Sequence, residues 1–306
     1  MVTNNVVASV GQAPAIYYRT TKNGSWTEQA ITGSVSTDVP KKILVVGQYL
    51  VVVFKNATTG GYFYTTISEN SGIPSSTWTK VTTGFVSGKA PNDAFALSAR
   101  QFYIVGDGGY IYKVQSIATG ATVLDAGETT TNNLNKVKAR GEIVIIGGAS
   151  DTFLLSTDGG KTFTADTVGS GGSITAVEVI NKLTLWVGAS DGSIWYSITA
   201  GETWTSVSLS SAIATVQDIL FVTPEVGYIL TASSGPAATV YSSINGGVDW
   251  VTGDPRLLNM PTFDRANQIV APQTRDASTD CSHFIIAGLA GNGSDGIVLV
   301  GIPNSA

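Results

Sequence analysis

Short apolar runs broken by Gly, Ser, Asp or Asn recur along the whole of this chain, and their order repeats. The clearest unit spans Lys182 to Val207. Leu183-Thr-Leu-Trp-Val-Gly predicts one strand, Ala189-Ser-Asp-Gly-Ser a turn, and Ile194-Trp-Tyr-Ser a second strand. Ile198-Thr-Ala-Gly then predicts a second turn and Glu202-Thr-Trp-Thr-Ser-Val a third strand. Each run is rich in β-branched and aromatic residues and bounded by turn formers, the signature of short antiparallel strands. The same order recurs at Glu142 to Ala165 and at Tyr228 to Thr252. Looser copies pair Tyr62-Phe-Tyr-Thr with Thr77-Trp-Thr-Lys, Tyr110-Ile-Tyr-Lys with Thr122-Val, and Ile16-Tyr-Tyr-Arg with Ser25-Trp-Thr-Glu. A further strand precedes most copies, as in Lys42-Ile-Leu-Val-Val or Ala176-Val-Glu-Val-Ile, so the predicted unit has four strands.

The turn between the last two strands of the unit carries a resemblance. Ser156, Asp158, Gly160, Thr162 and Phe163 fall in the pattern Ser-x-Asp-x-Gly-x-Thr-Trp, with Phe for Trp. Ser197, Gly201, Thr203 and Trp204 repeat it with Thr199 at the Asp position. Ser243, Asn245, Gly247 and Trp250 repeat it with Asn for Asp and Asp249 for Thr. Ser116, Gly120 and Thr122 keep a remnant. This resembles the Asp-box of sialidases, sortilin-type receptors and photosystem II assembly factors, which are β-propellers. The resemblance implies an all-β propeller and a structural role for Asp158, whose carboxylate accepts backbone N–H groups of its own turn while Gly permits positive φ. It is specific for fold and says little of function.

The aromatic of each turn serves as a ruler. Trp26, Trp78, Val123, Phe163, Trp204 and Trp250 stand 40 to 52 residues apart, and closing the circle from Trp250 back to Trp26 takes 82, which is two repeats of 41. The expectation is therefore one domain over residues 1–306, a propeller of seven four-stranded blades, with six blades as the alternative. Gln268-Ile-Val-Ala, His283-Phe-Ile-Ile-Ala-Gly and Gly296-Ile-Val-Leu-Val-Gly supply three strands of a last blade. Asn5-Val-Val-Ala-Ser-Val reads either as the strand that pairs with them, closing the ring and removing the exposed edge of an open array, or as the second strand of the first copy, which is the six-blade alternative.

Composition narrows function. Charged residues make up 13% of the chain against the usual ~25%, and 35 glycines with abundant Thr and Ser take their place. Net charge is −5 with basic residues scattered singly, which argues against a nucleic-acid partner. Cys281 is the single cysteine and His283 the single histidine, so neither a disulfide framework nor a His-rich metal site is expected, and no cofactor is. Met-Val-Thr-Asn-Asn opens the chain without a basic segment and apolar core, so no secretory signal is expected. The run Ile43 to Phe54 is broken by Gly47 and Gln48, too short to insert in a membrane, and reads as two strands around a tight turn.

Ligands of propellers bind on the face that carries the loops between second and third strands. Here those loops include Asn56 to Gly61, Gly106 to Tyr110 and Ala189 to Ser193, rich in Gly, Ser, Thr and Asn. The longest connection, Thr252 to Asn267, offers Asp254, Arg256, Phe263, Asp264 and Arg265 as candidate binding residues. A sialidase-like site needs three converging arginines, a Tyr with a Glu partner and an acid Asp. Arg19 lacks that family's Arg-Ile-Pro context, and Arg100 and Arg140 fall in turns of the opposite face. No catalytic residue is assigned. The expected function is a non-catalytic interaction or structural module with protein partners in a larger assembly, and glycan as a further ligand. Its composition and missing signal suggest the surface of a phage or virus particle, as a decoration, fibre-associated or receptor-contacting protein. A glycoside hydrolase, or a cytoplasmic assembly factor, is the alternative.

Overall fold

The computed structural model describes residues 14–18, 27–68, 71, 73–209, 213–232, 239–252, 265–270, 284–289 and 296–301. They are strands and turns with a single short 3-10 turn, Asp107–Gly109. The chain divides into two compact units, residues 1–149 with 154–165 and residues 150–153 with 166–306.

The first unit begins with a hairpin of β1 (Ala15–Tyr18) and β2 (Thr27–Ala30). A four-stranded sheet follows: β3 (Val39–Val46), β4 (Tyr49–Lys55), β5 (Gly60–Thr66) and β6 (Thr79–Val81). The next holds β7 (Pro91–Ala96), β8 (Phe102–Gly106), β9 (Tyr110–Val114) and β10 (Thr122–Ala126). The sheet of β11 (Leu134–Arg140), β12 (Ile143–Gly148), β13 (Thr152–Ser156) and β14 (Thr164–Thr167) contains the division between the units. In the second unit lie β15 (Ile174–Val179), β16 (Leu185–Ala189), β17 (Ile194–Ser197) and β18 (Thr205–Val207), then β19 (Thr215–Phe221), β20 (Gly227–Ala232), β21 (Thr239–Ser243) and β22 (Val251–Thr252). A three-stranded sheet of β23 (Arg265–Val270), β24 (Phe284–Leu289) and β25 (Gly296–Gly301) ends the series. Within every sheet, sequence neighbours are spatial neighbours.

Seven four-stranded blades are not what is found. Among the described residues six sheets have three or four strands, and the remaining pair, β1 and β2, is a lone hairpin. The aromatic ruler counts one mark per hairpin, so it scores a hairpin as a whole blade. The closing strand expected at Asn5-Val-Val-Ala-Ser-Val lies outside the described residues.

The first strand of each of these six sheets carries a β-bulge. Pairing skips Lys41, Asn92, Asn135, Thr175, Gln217 and Asn267, every one of them polar. A bulge leaves one residue outside the ladder and re-aims its side chain. Asn92 uses this freedom to donate from Nδ2 to the Leu134 carbonyl at 3.0 Å, one residue before the next sheet's bulge. Thr175 donates from Oγ1 to the Val216 carbonyl, again one residue before a bulge. At these two positions the polar bulge stitches first strand to first strand, while apolar side chains fill the space between sheets. In the first unit that filling includes Tyr62, Phe102 and Tyr112, and in the second Trp186, Ile229 and Tyr241.

The turns that resemble the Asp-box share one geometry built from three chemistries. The Ser156 hydroxyl accepts from Gly160 N at 2.8 Å and donates to Asp158 Oδ1 at 2.7 Å. Asp158 also accepts from Lys161 N at 2.9 Å, Thr162 N at 3.0 Å and the Thr162 hydroxyl at 2.7 Å. In the next copy Ser197 accepts from Gly201 N and Thr199 Oγ1 accepts from Thr203 N, both at 2.9 Å. In the third, Ser243 accepts from Gly247 N at 2.9 Å and Asn245 Oδ1 from Asp249 N at 3.0 Å, while Asn245 Nδ2 donates to Asp249 Oδ2 at 2.8 Å. Donor and acceptor have changed places without changing the turn. Of the aromatics, Phe163 packs on the cluster around Tyr103 and Leu154, Trp204 meets Phe153 edge-on at 5.0 Å, and Trp250 packs beside Trp186.

The donors on Thr162, backbone before hydroxyl, hold the Asp158 carboxyl well below the usual carboxylate range. A folded-state pKa depressed in this way contributes stability above the unfolded value of about 4, and that contribution is lost as pH falls through the folded value. Asp158→Asn should therefore melt lower at pH 7 but show a flatter melting profile below about pH 4 than the unaltered protein. Parallel acid limbs in the two melting series would contradict this.

Candidate binding site

The first unit carries an open cleft of about 340 Å³. Thr37 and Val39 line it from the start of β3, and Lys55, Asn56, Ala57 and Thr59 from the β4–β5 connection. Gly88 and Ala90 line it from the approach to β7, and Asp107 from the turn before β9. Two of these walls are the loops Asn56 to Gly61 and Gly106 to Tyr110, which the sequence places on the ligand-bearing face.

The β4–β5 wall is fixed from beneath. Asn56 Oδ1 accepts from Thr58 N at 3.1 Å and Thr59 N at 2.8 Å, which folds the loop on its own side chain. Asn56 Nδ2 donates to Asp38 Oδ1 at 3.1 Å. Asp38 is 0% exposed and accepts from Val35 N at 3.0 Å and from the Lys80 ammonium at 2.6 Å. Burial pushes the Asp38 carboxyl up, but the hydrogen bonds from Lys80, Val35 and Asn56 outweigh it and hold the group below its ordinary value. Lys80 in turn lies over the Phe54 ring at 4.8 Å and the Phe63 ring at 5.3 Å.

The facing wall is tied as firmly. Asp107 N donates to the Ala90 carbonyl at 2.9 Å, and Asp107 Oδ1 accepts from Asn92 Nδ2 at 2.8 Å. Gly108, at φ 67, donates to Asn133 Oδ1 at 2.9 Å. Gly88 N and the Ser87 hydroxyl both donate to the Thr58 carbonyl, at 2.8 and 2.9 Å, and join the two walls. Lys55 brings positive charge to the lining, and Lys41, at the β3 bulge two residues beyond the lining residue Val39, interacts with the lining residues Lys55 and Asp107. Burial and then the Lys55 ammonium lower the pKa of Lys41.

A second set of loops, in the second unit, is cross-linked rather than open. Asp151 accepts from Gly169 N at 2.8 Å and from the Ser170 hydroxyl, and Asp191 accepts from Gly171 N at 2.8 Å and the Ser193 hydroxyl at 2.7 Å. These carboxylates are spent on the Gly-rich segment between them. Among the described residues no three His, Cys, Asp or Glu side chains gather as metal ligands. No helix there is long and apolar enough to cross a membrane.

Of the binding residues expected in the Thr252 to Asn267 connection, Asp254, Arg256, Phe263 and Asp264 lie outside the described residues. Arg265 opens β23 opposite Leu289 and so belongs to a strand. Sequence reading missed Lys41, Lys55, Thr37, Thr59 and Asp107 as site residues. A signal was present: Lys41 and Lys55 bracket the apolar hairpin, and a polar residue interrupts the first strand of every larger sheet at the same place.

No protein-family model and no curated protein sequence matches this chain. Solved structures do. YCF48 from Cyanidioschyzon merolae shares 15% identity at TM-score 0.71, covering 99% of this chain and 92% of that one. YCF48 bound to a D1 peptide shares 12% at 0.73, covering 100% and 92%. Sqt1 from Saccharomyces cerevisiae shares 12% at 0.65, covering 98% and 82%. At such identities the likeness establishes fold alone: all-β and propeller-like.

Proposed function

We propose that this chain is a non-catalytic propeller of the Asp-box type, forming one domain, whose cleft-bearing loops dock a protein partner within a larger assembly. The observation that carries the reading is the open, rigidly walled cleft: its side chains offer hydrogen-bond donors and positive charge, and its own carboxylate, Asp107, is engaged by Asn92. An open trough that leaves most of a small molecule exposed is poorly suited to enclosing a substrate, whereas a chain segment crosses it readily. A protein of the same fold in complex with a peptide supports the same use of the architecture. The low charge and Thr, Ser and Gly content support a phage or virus particle surface as its setting.

Two measurements test this. A photo-crosslinking residue placed at the exposed cleft residue Ala57 should capture a protein partner that the same residue at Thr167, on the edge strand β14, does not. Equal capture at both positions, or turnover of a chromogenic glycoside by the purified chain, would end the docking reading. Co-purification with particles decides the setting: a chain absent from purified particles belongs to an intracellular assembly factor instead.

A further inference from the structure

We propose that the cleft takes a carboxylate from an acidic, extended segment of the partner protein, held between the ammonium groups of Lys41 and Lys55 with Thr37 and Thr59 as hydroxyl donors; this rests on the docking reading above.

The first support comes from the bulge series. Asn92 and Thr175 each satisfy their bulged side chain on the next sheet's first strand. Lys41 occupies the same place in its sheet, yet its partners among the described residues are Lys55 and Asp107, and no carbonyl of β7. In a series otherwise made of amides and hydroxyls it is the one member with a charge. The charge is therefore not needed for the stitching that the series performs.

The second support is electrostatic. Like charges placed together oppose one another, and an anion between them removes that cost. Neither Lys41 nor Lys55 has a carboxylate within 4 Å among the described residues, whereas Lys42 pairs with Asp93 and Lys80 with Asp38. This happens in a chain of net charge −5, where acidic partners are plentiful. Lys89 adds a third ammonium nearby, 5.1 Å over the Tyr110 ring.

The third is the complement of donors. Thr37 and Thr59 line the cleft, and neither hydroxyl has a hydrogen-bond partner among the described residues. Asp107 shares the cleft and offsets one of the two ammonium charges, so Lys41, Lys55 and Asp107 together leave one net positive charge, the complement of a carboxylate monoanion. That favours a carboxylate, and the open ends of the cleft favour one carried on a chain.

The probe is a fluorescein-labelled Gly-Ser-Glu-Ser-Glu-Ser-Gly peptide, titrated with the whole protein at low salt and followed by anisotropy. Its Gln counterpart, sodium acetate and inorganic phosphate serve as comparisons. Binding is expected near 10⁻⁴ M, roughly, for so small a contact. The Lys41→Gln, Lys55→Gln double variant should bind at least about tenfold more weakly, and Lys161→Gln, in an Asp-box turn, by less than about twofold. Circular dichroism should show all variants folded. No binding below about 1 mM, equal binding of the Gln peptide, or an unweakened double variant would overturn the inference. Phosphate that displaces the peptide at a lower concentration than acetate would replace the carboxylate with a phosphate. If crosslinking at Ala57 still captures a partner in the double variant with undiminished yield, docking stands and the carboxylate grip falls. If the unaltered protein captures nothing, the docking reading itself fails.

Discussion

Lys80→Met should destabilise the first unit by about 3–5 kcal/mol, because it leaves the Asp38 carboxylate buried without its counter-charge. Asp38 is 0% exposed, and its remaining donors are Val35 N and Asn56 Nδ2. Two neutral hydrogen bonds do not replace an ammonium at 2.6 Å. The methionine keeps most of the apolar stem that packs against Phe54 and Phe63, so the loss is one of charge rather than volume. A melting temperature lower by roughly 6–20 °C is the expected reading. Acid supplies the internal control. The Asp38 pKa is lowered in the folded protein, so its contribution is present above about pH 4 and is lost as pH falls through the folded value. In the variant the unpaired carboxyl is easier to protonate, and the gap between the two melting curves should close toward pH 3. The pair Asp38→Leu with Lys80→Met, which removes both charges, should recover much of the loss. A gap that stays constant with pH would mean that packing, not charge, had been removed.

The two lysine sites show what a sequence reveals and what it hides. The hairpin repeat was legible because its demands are local: a Ser, a side-chain acceptor and a Gly fall within five residues, and the aromatic is the eighth. The cleft loops Asn56 to Gly61 and Gly106 to Tyr110 were legible for the same reason. The Asp38–Lys80 pair is 42 residues apart in sequence, and nothing local to either residue announces the other. Lys41 and Lys55 face each other only because β3 and β4 pair antiparallel from Val39 opposite Lys55. The bulges were hidden more subtly. One polar residue in an apolar strand looks like ordinary alternation until the ladder shows that it is skipped. The blade count failed at the β1–β2 hairpin because a turn aromatic reports a hairpin, while a blade is defined by how many strands pair with it.

The second large effect separates two adjacent glycines of one turn. Gly246 and Gly247 both have positive φ, 73° and 87°. An alanine at either meets the left-handed penalty of about 1–2 kcal/mol. At Gly246 the space is otherwise free, with the Pro224 carbonyl at an ordinary 3.5 Å from a added methyl. At Gly247 the methyl would lie 2.4 Å from two ring carbons of Trp186. That indole cannot step aside: it is 1% exposed, stacked on Tyr196 at 5.1 Å and flanked by Phe221 at 5.2 Å and Trp250 at 5.7 Å. Overpacking of this kind adds about 1–3 kcal/mol. Gly247→Ala should therefore cost about 2–5 kcal/mol and alter the near-ultraviolet circular dichroism of the indole cluster, while Gly246→Ala costs about 1–2 and leaves that spectrum alone. The chain already contains the milder case, since Ala200 stands one residue before Gly201 with φ 60°. One sheet earlier, Gly159 has open space where a methyl would go, whereas a methyl on Gly160 would come within 2.9 Å of the Tyr103 hydroxyl. The second glycine of the turn is thus the one that the preceding sheet enforces, at Gly160 through a tyrosine and at Gly247 through a tryptophan. Equal losses for the two alanine variants would show that backbone conformation alone selects glycine here, and that the contact with the neighbouring sheet yields.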